Sequence, residues 1–343
     1  MPKLKLSFKP YTLKLKHTFT VSVYSRTTTP IVLTEIEYDG LIGYGEASMP
    51  AYLGETQESI IKFLSRIDLS KYDDIFNLEN ILADIDLIEP GNTAAKASID
   101  IALHDLIGKI LNQPWYRIWG SDLNKIPYTS FTIGIDDKNM IEKKVKEAVD
   151  FNILKVKLGK DSDKEIIETI REITNVPISV DVNQGWKSKE FALEMVNYLN
   201  ERNVLLVEQP LPKNQIDETA WLTENSPLPI IADESVQRLS DIIKVKGVFS
   251  GINIKLMKCT GMREAYKMIN HAKALNLKIM MGCMTETSCG ISAASHLSPL
   301  ADWVDLDGAL LIKNDIFKGA KLTNGRIIPS ILPGIGVEKI HNN

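Results

Sequence analysis

The chain is predicted to be an α/β protein, a modified eight-stranded (β/α) barrel behind an N-terminal α+β capping domain, and three observations predict it. Residues 1–48 alternate apolar and polar side chains between turn signals such as "YDGLIGYGEA". From about residue 126, eight short β-branched runs alternate with seven amphipathic segments over about 185 residues. Acidic side chains fall late in three consecutive runs of that series.

The first element, "MPKLKLSFKPYTLKLKHTF", has the period of two expected of a strand, and with the residues up to 48 it predicts an antiparallel meander. It lacks the continuous apolar stretch of a signal peptide or membrane span. Residues 55–119 turn helical, most clearly in "NTAAKASIDIALHDLIGKIL", where Asn92 or Thr93 is the candidate N-cap. The predicted capping domain is 1–125 and the barrel 126–316, with a tail at 317–343. The barrel strands are read at "PYTSFTIG", "ILKVKLG", "PISVDVNQ", "LLVEQP", "PIIADES", "GINIKLMK", "KIMMGCM" and "WVDLDGALL". An open doubly wound sheet would need a Gly-rich phosphate turn after its first strand, and "SFTIGIDDKN" has none.

Composition bounds the function. With 343 residues, 44% hydrophobic and 24% charged, the chain is globular; a net charge of -4 with scattered lysines excludes a nucleic-acid footprint, and no membrane partner is expected. Cys259, Cys283 and Cys289 are too few for a disulfide framework, which predicts a reducing cytoplasm.

The chemistry is expected at the C-terminal ends of the barrel strands. Asp181 lies late in the third, Glu208 late in the fourth, and Asp233 with Glu234 late in the fifth. Converging carboxylates repel and call for a cation; hard oxygen ligands without His or Cys favour Mg²⁺, with Mn²⁺ the alternative. Lys155 and Lys157 share one face of the second strand, while Lys255 and Lys258, three apart in the sixth, cannot both face inward on a strand. Strands two and six of such a barrel are diametrically opposed, so ammonium groups would face each other across the metal. Lys155 is expected to depress the pKa of Lys157. A base on each face of a metal-bound carboxylate suits reversible proton transfer at the adjacent carbon. Asp305 and Asp307, i and i+2 in the eighth strand, would set two anions at the rim, a natural partner for a substrate ammonium.

"KVK" at Lys155–Lys157, "DVNQGW", "VEQP", "ADES", "NIKLMK" and "DLD" together resemble the enolase superfamily, muconate-lactonizing subgroup, and within it the dipeptide epimerases. A lysine base with bound Mg²⁺ is the established arrangement of that superfamily. The resemblance implies Asp181, Glu208 and Asp233 as Mg²⁺ ligands, Lys157 and Lys255 as the acid/base pair, and Lys258 pointing outward. It implies a dipeptide substrate, an L,L-dipeptide such as L-Ala-L-Glu, inverted at its C-terminal residue, with its amino group held by Asp305 and Asp307. Lys155, Met284 and Thr285 join the substrate-contact candidates, and Asn183 and Glu286 are expected to support the site by hydrogen bonds. The capping domain would close the barrel mouth and the tail would pack back on it. Side-chain selectivity should come from "HTFTVSVYSRTTT" and "SMPAYLGET", where Arg26 is the candidate cation; Val23 stands where Glu-selective members place an arginine. A homo-oligomer acting in murein peptide metabolism is expected. The competing reading is an o-succinylbenzoate synthase or muconate cycloisomerase, whose substrates carry no ammonium.

Overall fold

The structure is a computed structural model and describes residues 3–20, 25–49 and 51–340. Val23 lies outside the described residues. The N-terminal meander forms as the alternation predicts: β1 (Lys5–Thr20), β2 (Ser25–Tyr38) and β3 (Leu41–Ser48) make an antiparallel sheet in that order. Asp39 and Gly40 both adopt positive φ, 48° and 76°, between the paired Tyr38 and Leu41. A two-residue hairpin requires that backbone, and Asp-Gly supplies it at little cost.

Four helices follow, α1 (Gln57–Leu64), α2 (Leu78–Asp86), α3 (Thr93–Ile110) and α4 (Trp115–Ile118). α3 is buried from Thr93 to Gly108, because the sheet packs on it. At its N-terminus Asn92 is the N-cap residue, one of the two candidates, but the capping bond comes from elsewhere. Asn92 is left-handed with no side-chain cap bond, and the carboxylate of Glu55 instead accepts from Thr93 N at 2.6 Å and Ala94 N at 3.1 Å. A distant acid takes the capping role, which local sequence cannot reveal. The sheet comes close enough to α3 that a Cβ on Gly45 would lie 2.0 Å from the Ser98 carbonyl oxygen. Gly45→Ala should therefore destabilise the fold by about 1–3 kcal/mol, read as a lower denaturation midpoint in urea.

Eight parallel strands make the barrel: β4 (Ser130–Ile133), β5 (Ile153–Lys157), β6 (Ile178–Asp181), β7 (Val204–Glu208), β8 (Ile230–Ala232), β9 (Gly251–Lys255), β10 (Lys278–Gly282) and β11 (Trp303–Asp305), hydrogen-bonded in sequence order. Between them run α5 (Lys138–Glu147), α6 (Asp163–Arg171), α7 (Lys189–Asn200), α8 (Ile216–Asn225), α9 (Ile242–Val245), α10 (Met262–Ala274) and α11 (Ser288–Ser295). The β11–β4 seam is closed by a parallel bridge between Thr129 and Val304 and by side chains: Leu306 N donates to Thr129 Oγ1, and Ser130 Oγ to Asp305 Oδ1. β5 and β9 are four strands apart in this ring and so oppose each other, as predicted.

The C-terminal residues form two short ribbons, β12 (Phe317–Lys318) with β15 (Glu338–Lys339) and β13 (Lys321–Thr323) with β14 (Arg326–Ile328). They bond to the N-terminal unit: Ile335 N donates to Asp105 Oδ1 at 3.0 Å, and Lys339 pairs with Glu35 at 2.5 Å. No helix among the described residues is long and apolar enough to cross a membrane.

Candidate active site

Parallel register brings the predicted residues to one level at the C-terminal end of the barrel. Lys157 pairs with Asp181 and Asp181 with Glu208, while Gly282 pairs with both Lys255 and Asp305. Asp233 follows β8 directly. Asp181, Glu208 and Asp233 are buried, with one oxygen from each within 4.8 Å of the others.

Four lysines neutralise the cluster. Lys155 Nζ lies 2.7 Å from Glu208, 2.7 Å from Asp305 and 3.2 Å from Asp181. Lys157 Nζ is 2.5 Å from Asp181 and Lys255 Nζ 2.7 Å from Asp233. Burial raises the pKa of Asp181, but Lys157 and Lys155 outweigh it and bring it down to about 2. Asp233 is likewise lowered, Lys255 and Lys258 overcoming its burial. Glu208 is pushed up to about 7, first by burial and then by Asp181. Burial opposes the charge of Lys155, yet Asp305, Glu208 and Asp181 hold its pKa well above the ordinary lysine value. Lys155 is thus a fixed ammonium, sharing the Asp181 carboxylate with Lys157.

Lys258 corrects an expectation. It does not point outward: it is 1% exposed, paired to Asp233, and donates to the carbonyls of Asp233, Val236 and Asn253 at 2.8, 3.0 and 2.9 Å. β9 ends at Lys255, so the alternation of strand faces no longer governs a residue three further on. Lys258 and Lys255 hold Asp233 from two directions.

Asp305 and Asp307 are buried, at 4% and 2% exposure. The oxygens of Asp305 are taken by Lys155 and Ser130. Asp307 accepts from Thr132 N at 2.6 Å and lies past the end of β11. Burial, and then the charge of Asp305, push its pKa up to about 7.

These groups meet in a cavity of about 290 Å³ whose lining includes Lys155, Lys157, Asp233, Lys255, Asp305 and Asp307, together with Arg26, Met284, Thr285 and Asn183. Arg26 donates to Thr285 Oγ1 at 3.0 Å. Asn183 takes an Asp181 oxygen through its backbone N–H and reaches Lys157 and Glu234 through its side chain. Glu286 lies off the cavity wall and accepts from Met284 N at 2.7 Å. Phe19, Tyr52, Thr132, Gln184 and Cys283 also line the cavity and were not singled out from sequence. Asn253, which donates to Glu208 at 2.6 Å, was missed as well, although its place two residues before Lys255 on β9 puts it on the inward face.

Residues 8–120 match the family model described as the N-terminal domain of mandelate racemase and muconate lactonizing enzyme, and residues 139–340 match the model for the enolase C-terminal domain-like fold. The chain belongs to the enolase superfamily. A member from Bacteroides thetaiotaomicron named L-Ala-D/L-Glu epimerase is 60% identical over 98% of this chain and 88% of its own. The substrate-liganded L-Ala-D/L-Glu epimerase of Bacillus subtilis superposes with a TM-score of 0.92 at 28% identity, covering 98% of this chain and 99% of the other. A dipeptide epimerase from Enterococcus faecalis, solved with Mg and L-Leu-L-Tyr, gives a TM-score of 0.90 at 31% identity over 98% and 99% of the two chains. Within this superfamily fold, the three buried acids of this chain form a compact all-oxygen donor set, which fits a hard divalent cation.

Proposed function

We propose that the chain is a Mg²⁺-dependent dipeptide epimerase, an isomerase that moves the α-proton of the C-terminal residue between the two faces of that carbon. The observation that carries this reading is the placement of Lys157 and Lys255 on opposed strands of one cavity, each paired to a different member of the acid cluster. Asp181, Glu208 and Asp233 would hold the cation, Mg²⁺ or in its place Mn²⁺. When bound, it supplies charge neutralisation to the substrate carboxylate as the α-carbon loses its proton. One lysine Nζ takes the proton from its side and the other returns one to the opposite face. Burial works against the charge on Lys255, but Asp233 and Glu208 raise its pKa above the ordinary value.

The amino group of the first residue is assigned to Asp307, since both oxygens of Asp305 already have partners. Arg26 and Thr285 would meet the second side chain, which suits an acidic residue and accords with the name of the Bacteroides relative. Murein-derived dipeptides such as L-Ala-L-Glu, in a reducing cytoplasm that keeps the three cysteines free, are the substrates we favour.

N-acetylation of the dipeptide removes the ammonium and should slow epimerisation at least about tenfold, because charge-assisted bonds contribute roughly 1.5–3 kcal/mol. For the free dipeptide, KM should rise as the pH falls below 7, where Asp307 takes up a proton and loses its charge. Steady-state screening of an L,L-dipeptide library with and without N-acetylation measures both. Equal rates for free and acetylated substrates would remove the ammonium site and favour a cycloisomerase.

A further inference from the structure

Two acids that take no part in this proton transfer meet where the N-terminal sheet touches the barrel. Glu46 of β3 is 0% exposed and Glu286, after β10, is 1% exposed. One oxygen of each, Glu286 Oε2 and Glu46 Oε1, lies 2.3 and 2.9 Å from the point that a Cβ on Gly290 would occupy. Glu46 accepts from Thr287 N at 2.9 Å and from the Thr287 hydroxyl, whereas Glu286 Oε2 has no hydrogen-bond partner among the described residues. Ser48, two residues on from Glu46 and so on the same face of β3, donates to the Thr285 carbonyl at 2.7 Å. The segment from Met284 to Thr287 thus hangs from β3 at two alternate residues, and its Thr285 hydroxyl in turn receives Arg26.

We propose that Glu46 is a positioning residue: sharing one proton with Glu286, it fixes the segment from Met284 to Thr287 against the N-terminal sheet and thereby sets Thr285 and Arg26 for the second side chain of the dipeptide. The identity of the ligand rests on the epimerase reading; the carboxylate pair does not. Oxygens this close to one point are at most about 5 Å apart, and two like charges so near in a dry site oppose each other's ionisation, so a proton kept by the pair relieves the repulsion. The surroundings offer little relief. Asp315 adds a further negative charge toward Glu46, the thiols of Cys289 and Cys283 flank the pair, and Lys255 is the cation that reaches Glu286. Burial, then the charge of Glu286, pushes Glu46 well up, and burial pushes Glu286 to about 7.

The test combines kinetics with melting. Glu46→Ala should raise KM for L-Ala-L-Glu at least about tenfold while kcat stays within about threefold, and Glu46→Gln, which carries its hydrogens permanently, should bring KM back to within about threefold of wild type. The proton has its own readout. In the folded wild type the pair keeps a proton that the unfolded acids release above about pH 4.5, so the pair's contribution to stability is greatest below that pH and is lost as the pH rises toward 7. Glu46→Gln removes part of that loss, so between pH 5 and 8 its melting temperature should gain on wild type by about 2 °C or more. An unchanged KM in Glu46→Ala, a kcat that falls as far as KM rises, or a melting difference independent of pH would overturn the proposal. Should Glu46→Ala not fold, the Glu46→Gln melts and KM decide it. A wild-type protein that epimerises no dipeptide sinks the proposed function, and the melts still judge the shared proton.

Discussion

Asp181→Asn should lower turnover at least about a hundredfold, and exhaustive chelation of the wild-type protein should do the same. The cluster offers three carboxylates, all at 0–1% exposure. Replacing one by an amide keeps its shape but removes a third of the negative charge facing a dication, and a hard cation depends on that charge. The same substitution deprives Lys157 of its 2.5 Å partner and Lys155 of a 3.2 Å one, so the orientation of a proposed base is lost with the ligand. The two effects separate in a metal titration. Added Mg²⁺ should restore chelated wild type, and Mn²⁺ should also serve, whereas the variant should need far more metal and still turn over slowly. Full activity after chelation, or in Asp181→Asn, would remove the metal from the account.

Much of this site was legible because it sits on regular strands. Lys155, Lys157, Asp181, Glu208 and Lys255 lie within β5, β6, β7 and β9, where a period of two fixes the face and the barrel fixes the depth. Asn253 and Ser130 obey the same rule and could have been read from it. The rule lapses beyond a strand's end. Lys258, three residues past β9, curls back under Asp233 instead of turning to solvent. Contacts made by the chain's return to itself left no local mark. Nothing near residue 92 announces that Glu55 caps α3, and "YGEAS" gives no sign that Glu46 will meet Glu286 about 240 residues later. The N-terminal meander was readable from alternation and from Asp39-Gly40, but its closeness to α3 is a packing fact that shows only in the 2.0 Å approach at Gly45.

The two lysines carry the central claim. General acid–base groups contribute about 10²- to 10⁴-fold each, and inversion needs one on each face, so Lys157→Ala or Lys255→Ala should reduce epimerisation by at least about a thousandfold. Loss of either lysine leaves the other in place, since Lys157 is tied to Asp181 on β6 and Lys255 to Asp233 beyond β8. Each variant should therefore retain exchange of the α-proton with solvent for the one configuration its surviving lysine reaches. The decisive measurement is proton NMR of L,L- and L,D-dipeptide incubated in D₂O with wild type, Lys157→Ala and Lys255→Ala. The account predicts deuterium at the C-terminal α-carbon of the wild-type product, no inversion by either variant, and exchange without inversion of opposite configurations by the two. Inversion by Lys255→Ala at near the wild-type rate would contradict it and shift attention to Lys258, which pairs with the same carboxylate.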